Sequence, residues 1–515
     1  MKSIDNIDKI IVLDFGSQYA HLICRRVREI GVYAELLPYN TPLENLAKSN
    51  IKGIILSGGP ASVYEENAPL ADPKIFELEI PLLGICYGHQ FIVHTLGGKV
   101  KRAKREYGRS ELSIDDNTDL FKDIDNKTIC WMSHGDAAEI LPNDFEIIAH
   151  TDNSFAAAIR DKDRKIYGIQ FHPEVVHTIK GTEILKNFVL NICKARPEWN
   201  MENFIEIIIP KLKQELDGNV LCATSGGIDS TTTALLLHKA IGNRLKCLFV
   251  DHGLLRENEG NDVRSIFKEL GIDLIYIDAK ERFMNKLRDI IDPEEKRIII
   301  GNEFGSIFEE ITKHYGPFKW LAQGTLYPDL IESGVSIAKG PASKIKSHHN
   351  VAGLPDWLSL KVVEPLKLLY KDEVRSLARL LGLPEKMINR HPFPGPGLAV
   401  RIIGAITEEK VRICREASKI VEDELIKANL YDKVWQAFAI VGDDKAVGVL
   451  GDERVYGRIV SIRIVESIDA MTADWSRVPY DVLARISNRI TNEVEGVTWV
   501  SYVISSKPPA TIEPQ

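Results

Sequence analysis

Cysteine is scarce and odd in number: the 515 residues hold seven, scattered from Cys24 to Cys414, none in a C-x-x-C pair. That argues against a disulfide ladder and against a cysteine-type zinc site. Long apolar runs are also missing; no stretch approaches the roughly 18 uninterrupted apolar residues that a membrane span needs. Positive charge is not in excess, since 65 Lys+Arg against 73 Asp+Glu leaves a formal charge of −8. A main partner of nucleic acid would call for a basic face. No low-complexity tract or internal repeat interrupts the chain. The opening MKSIDNIDKIIVLDF puts acidic residues before its apolar run, unlike a signal peptide. The expectation is a reduced, cytoplasmic, soluble enzyme with no nucleic-acid and no membrane partner.

What is present is alternation. The chain is too long for one hydrophobic core, and length suggests about three domains. Lys9–Asp14, Gly53–Leu56, Pro81–Ile85 and Tyr167–Gln170 are β-prone and apolar, with amphipathic segments Tyr19–Ile30 and Gly88–Leu96 among them. A second series starts at Asn219, with strands near Leu245–Asp251 and Asp273–Asp278 and helices over Ile228–Ile241 and Asn261–Leu270. Met201–Leu216 is a connecting helix. The Pro- and Gly-rich stretch RHPFPGPGLAVR (Arg390–Arg401) forbids a continuing helix. After it come long helices and β-prone runs, Arg458–Val465 and Thr498–Ile504. The fold class expected is α/β: two doubly wound parallel-sheet domains, 8–198 and 199–390, and a C-terminal α+β domain, 391–515.

PLLGICYGHQ sets Cys86 between a buried strand and a helix, with Gly84 and Gly88 at its flanks. A nucleophile on such a turn stands clear of the sheet, and the following helix N-terminus favours a thiolate. A small buried apolar cysteine is the bland alternative. GIQFHPEVVH supplies a partner: His172 and Glu174, at i and i+2, face one side of an extended chain, so Glu174 can hold the imidazole that serves the thiol. With these residues, the chain up to about 195 resembles a class I glutamine amidotransferase. The resemblance implies a triad of Cys86, His172 and Glu174, and an oxyanion loop in LSGGP (Leu56–Pro60), where Gly58, Gly59 and Tyr87 present backbone to the developing charge. It further implies a glutamine pocket lined by Gln90 and by Ser133 and His134 of MSHGD. The freed ammonia needs an acceptor site elsewhere in the chain.

SGGIDS (Ser225–Ser230) follows a β-prone run and opens a helix, yet it lacks the lysine of a G-x-x-x-x-G-K-[ST] loop. It resembles the signature loop of the N-type ATP pyrophosphatases. That implies ATP held by Ser225, Gly226, Gly227, Ile228, Asp229, Ser230 and Thr231, with Val250 and Gly324 beside them, and Mg²⁺ on Asp229. In such an enzyme the loop clamps the departing pyrophosphate rather than a transferred γ-phosphoryl group. LAQGTLYPDLIESG contributes Asp329 and Glu332, and KSHHNVAGLP clusters Lys346, His348 and His349, expected as a lid whose cations meet phosphate.

In this order the segments resemble the family of glutamine-hydrolysing GMP synthetases over nearly the whole chain. The resemblance implies ATP, glutamine and XMP as substrates, and a C-terminal domain that dimerises the enzyme and completes the XMP site. Arg297, Arg401, Lys507, Thr511, Ile512 and Glu513 are the implied XMP contacts. One departure stands out: the family's tail usually runs T-I-E-W-E, whereas this chain has Thr511–Ile512–Glu513–Pro514–Gln515. Two other readings are open, a relative acting on tRNA bases and a ligand sensor with dead sites; the acidic charge counts against the first and the intact motifs against the second.

Overall fold

The computed structural model describes residues 4–329, 360–467 and 472–515. It divides into two compact units, Met1–Ile207 and Ile208–Gln515. No helix among the described residues is long and apolar enough to cross a membrane, and the seven cysteines are buried and form no disulfide.

The first unit is built on nine strands: β1 (Lys9–Asp14), β2 (Tyr33–Pro38), β3 (Ile51–Leu56), β4 (Leu82–Ile85), β5 (Lys99–Ile114), β6 (Lys127–Ile140), β7 (Glu146–His150), β8 (Ala158–Asp161) and β9 (Ile166–Ile169). Their order is β2-β1-β3-β4-β9-β8-β7-β5-β6. The first five run parallel. The continuous apolar runs of β1, β3, β4 and β9 fit that central position, because strands covered on both faces need no polar alternation. The remaining four join antiparallel. The sheet is therefore mixed: its first half is the parallel sheet expected, and an antiparallel half is added to it. β5 and β6 are long and alternate buried with exposed positions, as strands with one wet face do. The core gathers Leu13, Phe15, Ile54, Leu56, Leu82, Phe91 and Ile92 between the sheet and the helix Tyr87–Thr95.

The second unit holds a parallel sheet of β10 (Val220–Ala223), β11 (Leu245–Asp251), β12 (Leu274–Asp278), β13 (Trp320–Ala322) and β14 (Lys361–Val363), in the order β12-β11-β10-β13-β14. The chain first winds outward from β10 to β12, then crosses to β13 and β14. Such a reversal opens a crevice at the carboxyl ends of β10 and β13, where open α/β sheets bind ligands. A further sheet comprises β15 (Gln436–Leu450), β16 (Glu453–Glu466), β17 (Asp474–Trp475) and β18 (Val497–Tyr502), with β18 parallel to β16 and the other pairs antiparallel. Helices Glu408–Lys427 and Tyr480–Glu493 belong with it. One apolar cluster runs from Leu221 and Leu248 through Phe308 to Ile413, Ile464 and Val497.

Candidate active sites

Three neighbouring parallel strands, β3, β4 and β9, end at the same edge of the first sheet, and each delivers part of one site. Cys86 directly follows β4 and caps the helix Tyr87–Thr95 with φ +53° and ψ −102°. A non-glycine residue in that region is strained, a feature that clusters at functional sites. The flanking glycines make room for the turn: a Cβ on Gly84 would lie 2.5 Å from the Gly88 carbonyl, and one on Gly88 2.5 Å from the Leu56 carbonyl oxygen. His172, three residues past β9, sits near enough to the Cys86 thiol for the sulfur to raise its pKa. On its other side the Nδ1 lies 2.7 Å from Glu174 Oε1, and the other Glu174 oxygen has no hydrogen-bond partner among the described residues. Gly58, past β3, closes the group; a Cβ there would stand 3.2 Å from His172 Cε1 and 3.7 Å from Cys86 Cβ.

The electrostatics favour a charged imidazole. Burial opposes the charge on His172, but the Glu174 carboxylate and the Cys86 sulfur together outweigh it, and the pKa lies above its ordinary value. Replacing Glu174 by Gln removes the principal anion. Glutamine hydrolysis is predicted to fall about 10- to 100-fold, with the pH limb set by His172 moving to lower pH. An unmoved limb in the kcat/KM profile would show that Glu174 does not set the charge on His172.

Around this trio the expected pocket residues are tied together. Cys86 Sγ lies 3.6 Å from the Ser133 carbonyl oxygen. Gln90 Nε2 donates to the Asp136 carbonyl at 2.8 Å, and His134 Nδ1 lies 3.0 Å from the same oxygen. Burial lowers the His134 pKa, with Glu106 acting against it. The Tyr87 hydroxyl donates to the Pro69 carbonyl at 2.9 Å, and Gly59 packs against Phe15 and the Tyr87 ring. Sequence reasoning did not single out Gln170. Its amide joins Gln90 (3.3 Å) to Cys86 Sγ (3.8 Å). Its place two residues before His172, on the same face of the departing strand, was the available signal.

In the second unit SGGIDS lies at the carboxyl end of β10, inside the crevice described above. Gly226 has φ +75°, and a Cβ on it would lie 2.6 Å from Val263 Cγ2, so only glycine fits without displacement. The hydroxyls are pre-arranged: Ser225 N donates to Ser230 Oγ at 3.2 Å, and Thr231 Oγ1 to the Gly227 carbonyl at 2.9 Å. Ile228 starts the helix Ile228–Ile241, so its first amides face the loop. Gly324, after β13, comes so close that a Cβ would stand 3.3 Å from Ser230 N. Val250 is buried near the end of β11. Asp329 accepts from the Leu326 amide at 3.1 Å. Glu332, Lys346, His348 and His349 lie outside the described residues.

The lysine absent from the loop is present in space. Lys371, at the start of the helix Lys371–Leu380, places Nζ 2.8 Å and 2.6 Å from the two Asp229 carboxylate oxygens. It stands 142 residues from Asp229 in sequence, so no local spacing announces it.

The expected XMP residues fall in two groups. Arg401 is buried beneath the Phe393 and Phe438 rings, at 4.8 Å and 4.2 Å, with Nη2 3.5 Å from Glu513 Oε1. Gln436, which sequence reasoning missed, donates to the same Glu513 oxygen at 2.5 Å. Ile512 is buried with Phe438 and Val465, and the Thr511 carbonyl accepts from Arg463 Nη2 at 3.1 Å. The Lys507 backbone pairs with Ala473. Arg297 is exposed on the helix Pro293–Tyr315 and ion-paired with Glu294 at 3.6 Å.

Comparison with known proteins agrees with both halves. Residues 11–192 match the glutamine amidotransferase class-I family, and residues 423–514 match the GMP synthase C terminal domain. Proteins named GMP synthase [glutamine-hydrolyzing] from Gloeothece citriformis and Caldicellulosiruptor saccharolyticus are 52% and 54% identical, over 99% and 98% of this chain and 95% and 99% of their own. One of the same name from Pyrobaculum aerophilum is 53% identical over 99% of this chain and 100% of its own. The chain belongs to the glutamine-hydrolysing GMP synthase family.

Proposed function

We infer that this chain catalyses glutamine-dependent GMP synthesis, with glutamine hydrolysed in the first unit and XMP activated by ATP and aminated in the second. The single observation that carries the reading is the meeting of Cys86, His172, Glu174 and Gly58 in a chain that also holds the SGGIDS cradle.

At the first site the Cys86 thiolate attacks the side-chain amide carbon of glutamine. Gly58 and Tyr87 N–H groups are the proposed donors to the oxyanion. His172 gives its proton to the leaving nitrogen, and ammonia departs from a thioester. Water, deprotonated by His172, then hydrolyses the thioester to glutamate and restores the thiol. Glu174 holds the imidazole in place through both steps.

At the second site the C2 carbonyl oxygen of XMP is a poor leaving group. Its attack on the α-phosphate of ATP forms adenyl-XMP and releases pyrophosphate. Ammonia adds at C2, and AMP leaves with the former carbonyl oxygen. Ser225, Gly226, Gly227, Ser230 and Thr231 are proposed to hold the β- and γ-phosphates through amides and hydroxyls. Lys371 supplies the cation that the loop itself lacks. Mg²⁺, when bound with ATP, would offset the phosphate charge. Asp229 fits it, since its carboxylate already faces a cation. No cluster of three His, Cys, Asp or Glu suited to a metal occurs among the described residues, so nucleotide phosphates and water would complete the coordination.

Glu332, Lys346, His348 and His349 are proposed to close over the phosphates, and Arg297, Arg401, Lys507, Thr511, Ile512 and Glu513 to bind XMP. Three functional segments, 8–198, 199–390 and 391–515, fit this division, in a cytoplasmic homodimer. Exposed Val447, Val449, Tyr456 and Trp499 on β15, β16 and β18 support a second copy as the occupant of that face. Incubation with glutamine, ATP, Mg²⁺ and XMP should yield GMP, glutamate, AMP and pyrophosphate in equal amounts; AMP and pyrophosphate without GMP would reject the reading.

A further inference from the structure

We propose that Lys296 and Gln515 form a buried staple that sets the position of the XMP-site tail, making both of them positioning residues for amination. The proposal rests on the reading of the tail as part of the acceptor site.

Lys296 precedes Arg297 on the helix Pro293–Tyr315 and is 2% exposed. Its ammonium has three N–H groups and finds three acceptors: the Ile402 carbonyl at 3.0 Å, the Gly404 carbonyl at 2.7 Å and Gln515 Oε1 at 2.5 Å. All three are neutral, so each of its hydrogen bonds goes to a dipole and none to a carboxylate. Burial, with Lys410 nearby, lowers its pKa to about 8, against the pull of Asp443 and Asp292. Removing one acceptor would leave a buried N–H unsatisfied, which costs more than the bond itself contributes.

The acceptors show what is being fixed. The segment Ile402–Ala405 directly follows Arg401. Its successive carbonyls alternate between two buried ammonium groups: those of 402 and 404 go to Lys296, and those of 403 (3.2 Å) and 405 (2.8 Å) to Lys410. Gln515 is held at two points, since beside its contact with Lys296 its backbone N–H donates to the Val400 carbonyl, just before Arg401, at 3.2 Å. Two residues before Gln515, Glu513 faces Arg401 and Gln436. The staple thus ties together the helix carrying Arg297, the segment carrying Arg401 and the tail carrying Glu513. At the position where the family pattern ends in E, this chain offers the Gln515 amide oxygen to the buried lysine.

The test uses the full chain with Gln515→Ala, Gln515→Glu and Lys296→Met. The measurements are XMP affinity by calorimetry, KM for XMP and for ATP in the ammonia-driven reaction, and hydrogen exchange of the tail amides. Gln515→Ala should weaken XMP binding about five- to tenfold, raise KM for XMP with little change in KM for ATP, and speed exchange across residues 510–513. Gln515→Glu, which restores an acceptor, should return XMP affinity to within about twofold. Lys296→Met should exceed the alanine effect. Unchanged tail exchange in Gln515→Ala overturns the staple, as does an equal rise in both KM values. Should the wild-type protein fail to bind XMP, the acceptor reading falls, while tail exchange still decides the staple.

Discussion

Changing Cys86 to Ala will abolish GMP formation from glutamine, by a factor on the order of 10⁴ or more, and leave formation from ammonium salts near the wild-type rate. The size follows from chemistry: no other group at the strained turn can attack the amide, and His172 and Glu174 have nothing to serve without the thiol. The selectivity follows from architecture. Cys86 lies in a unit with its own sheet and core, Met1–Ile207, and the SGGIDS cradle belongs to the other. The assay compares GMP production with glutamine and with ammonium chloride at pH 8.5, where more free ammonia is present. Loss of both activities together would mean that the two chemistries are not separable. Retained glutamine-dependent synthesis would remove Cys86 from the mechanism.

Asp229→Ala has the opposite signature and should reduce both nitrogen routes by about 100-fold or more. Activation precedes amination, so the nitrogen source does not matter. The substitution strips the carboxylate from Lys371, whose Nζ now bonds both oxygens, and removes the proposed Mg²⁺ ligand. Asp229→Asn separates the contributions, because it retains shape and loses charge. It should resemble Ala in rate if charge dominates. Pyrophosphate release with XMP and ammonium is the direct readout, and wild-type release by Asp229→Ala would refute the assigned role.

The elements whose signals are local were legible in the chain. Lys9–Asp14, Leu245–Asp251 and Ile228–Ile241 carry the same bounds in the structure as in the sequence reading. Apolar runs between breakers define their own ends. The Cys86 turn was equally readable, since Gly84 and Gly88 mark the space it needs. His172 and Glu174 meet just past the end of β9. The antiparallel half of the first sheet was not read. β5 is rich in charge (KVKRAKREYGRSELSI), and its pairing with β6 compensates through cross-strand partners that no single segment reveals. Lys371, Gln436 and Lys296 were missed for a related reason. Each acts through a partner 77 to 219 residues away, and only the folded chain brings such pairs together.

The central claim concerns which bond of ATP breaks and where the XMP oxygen goes. The most direct measurement supplies XMP labelled with ¹⁸O at the C2 carbonyl, together with ATP, Mg²⁺ and ammonia, and follows the label by mass spectrometry. The account predicts one ¹⁸O in the phosphoryl group of AMP, with unlabelled pyrophosphate. Label appearing in orthophosphate, accompanied by ADP, would contradict it.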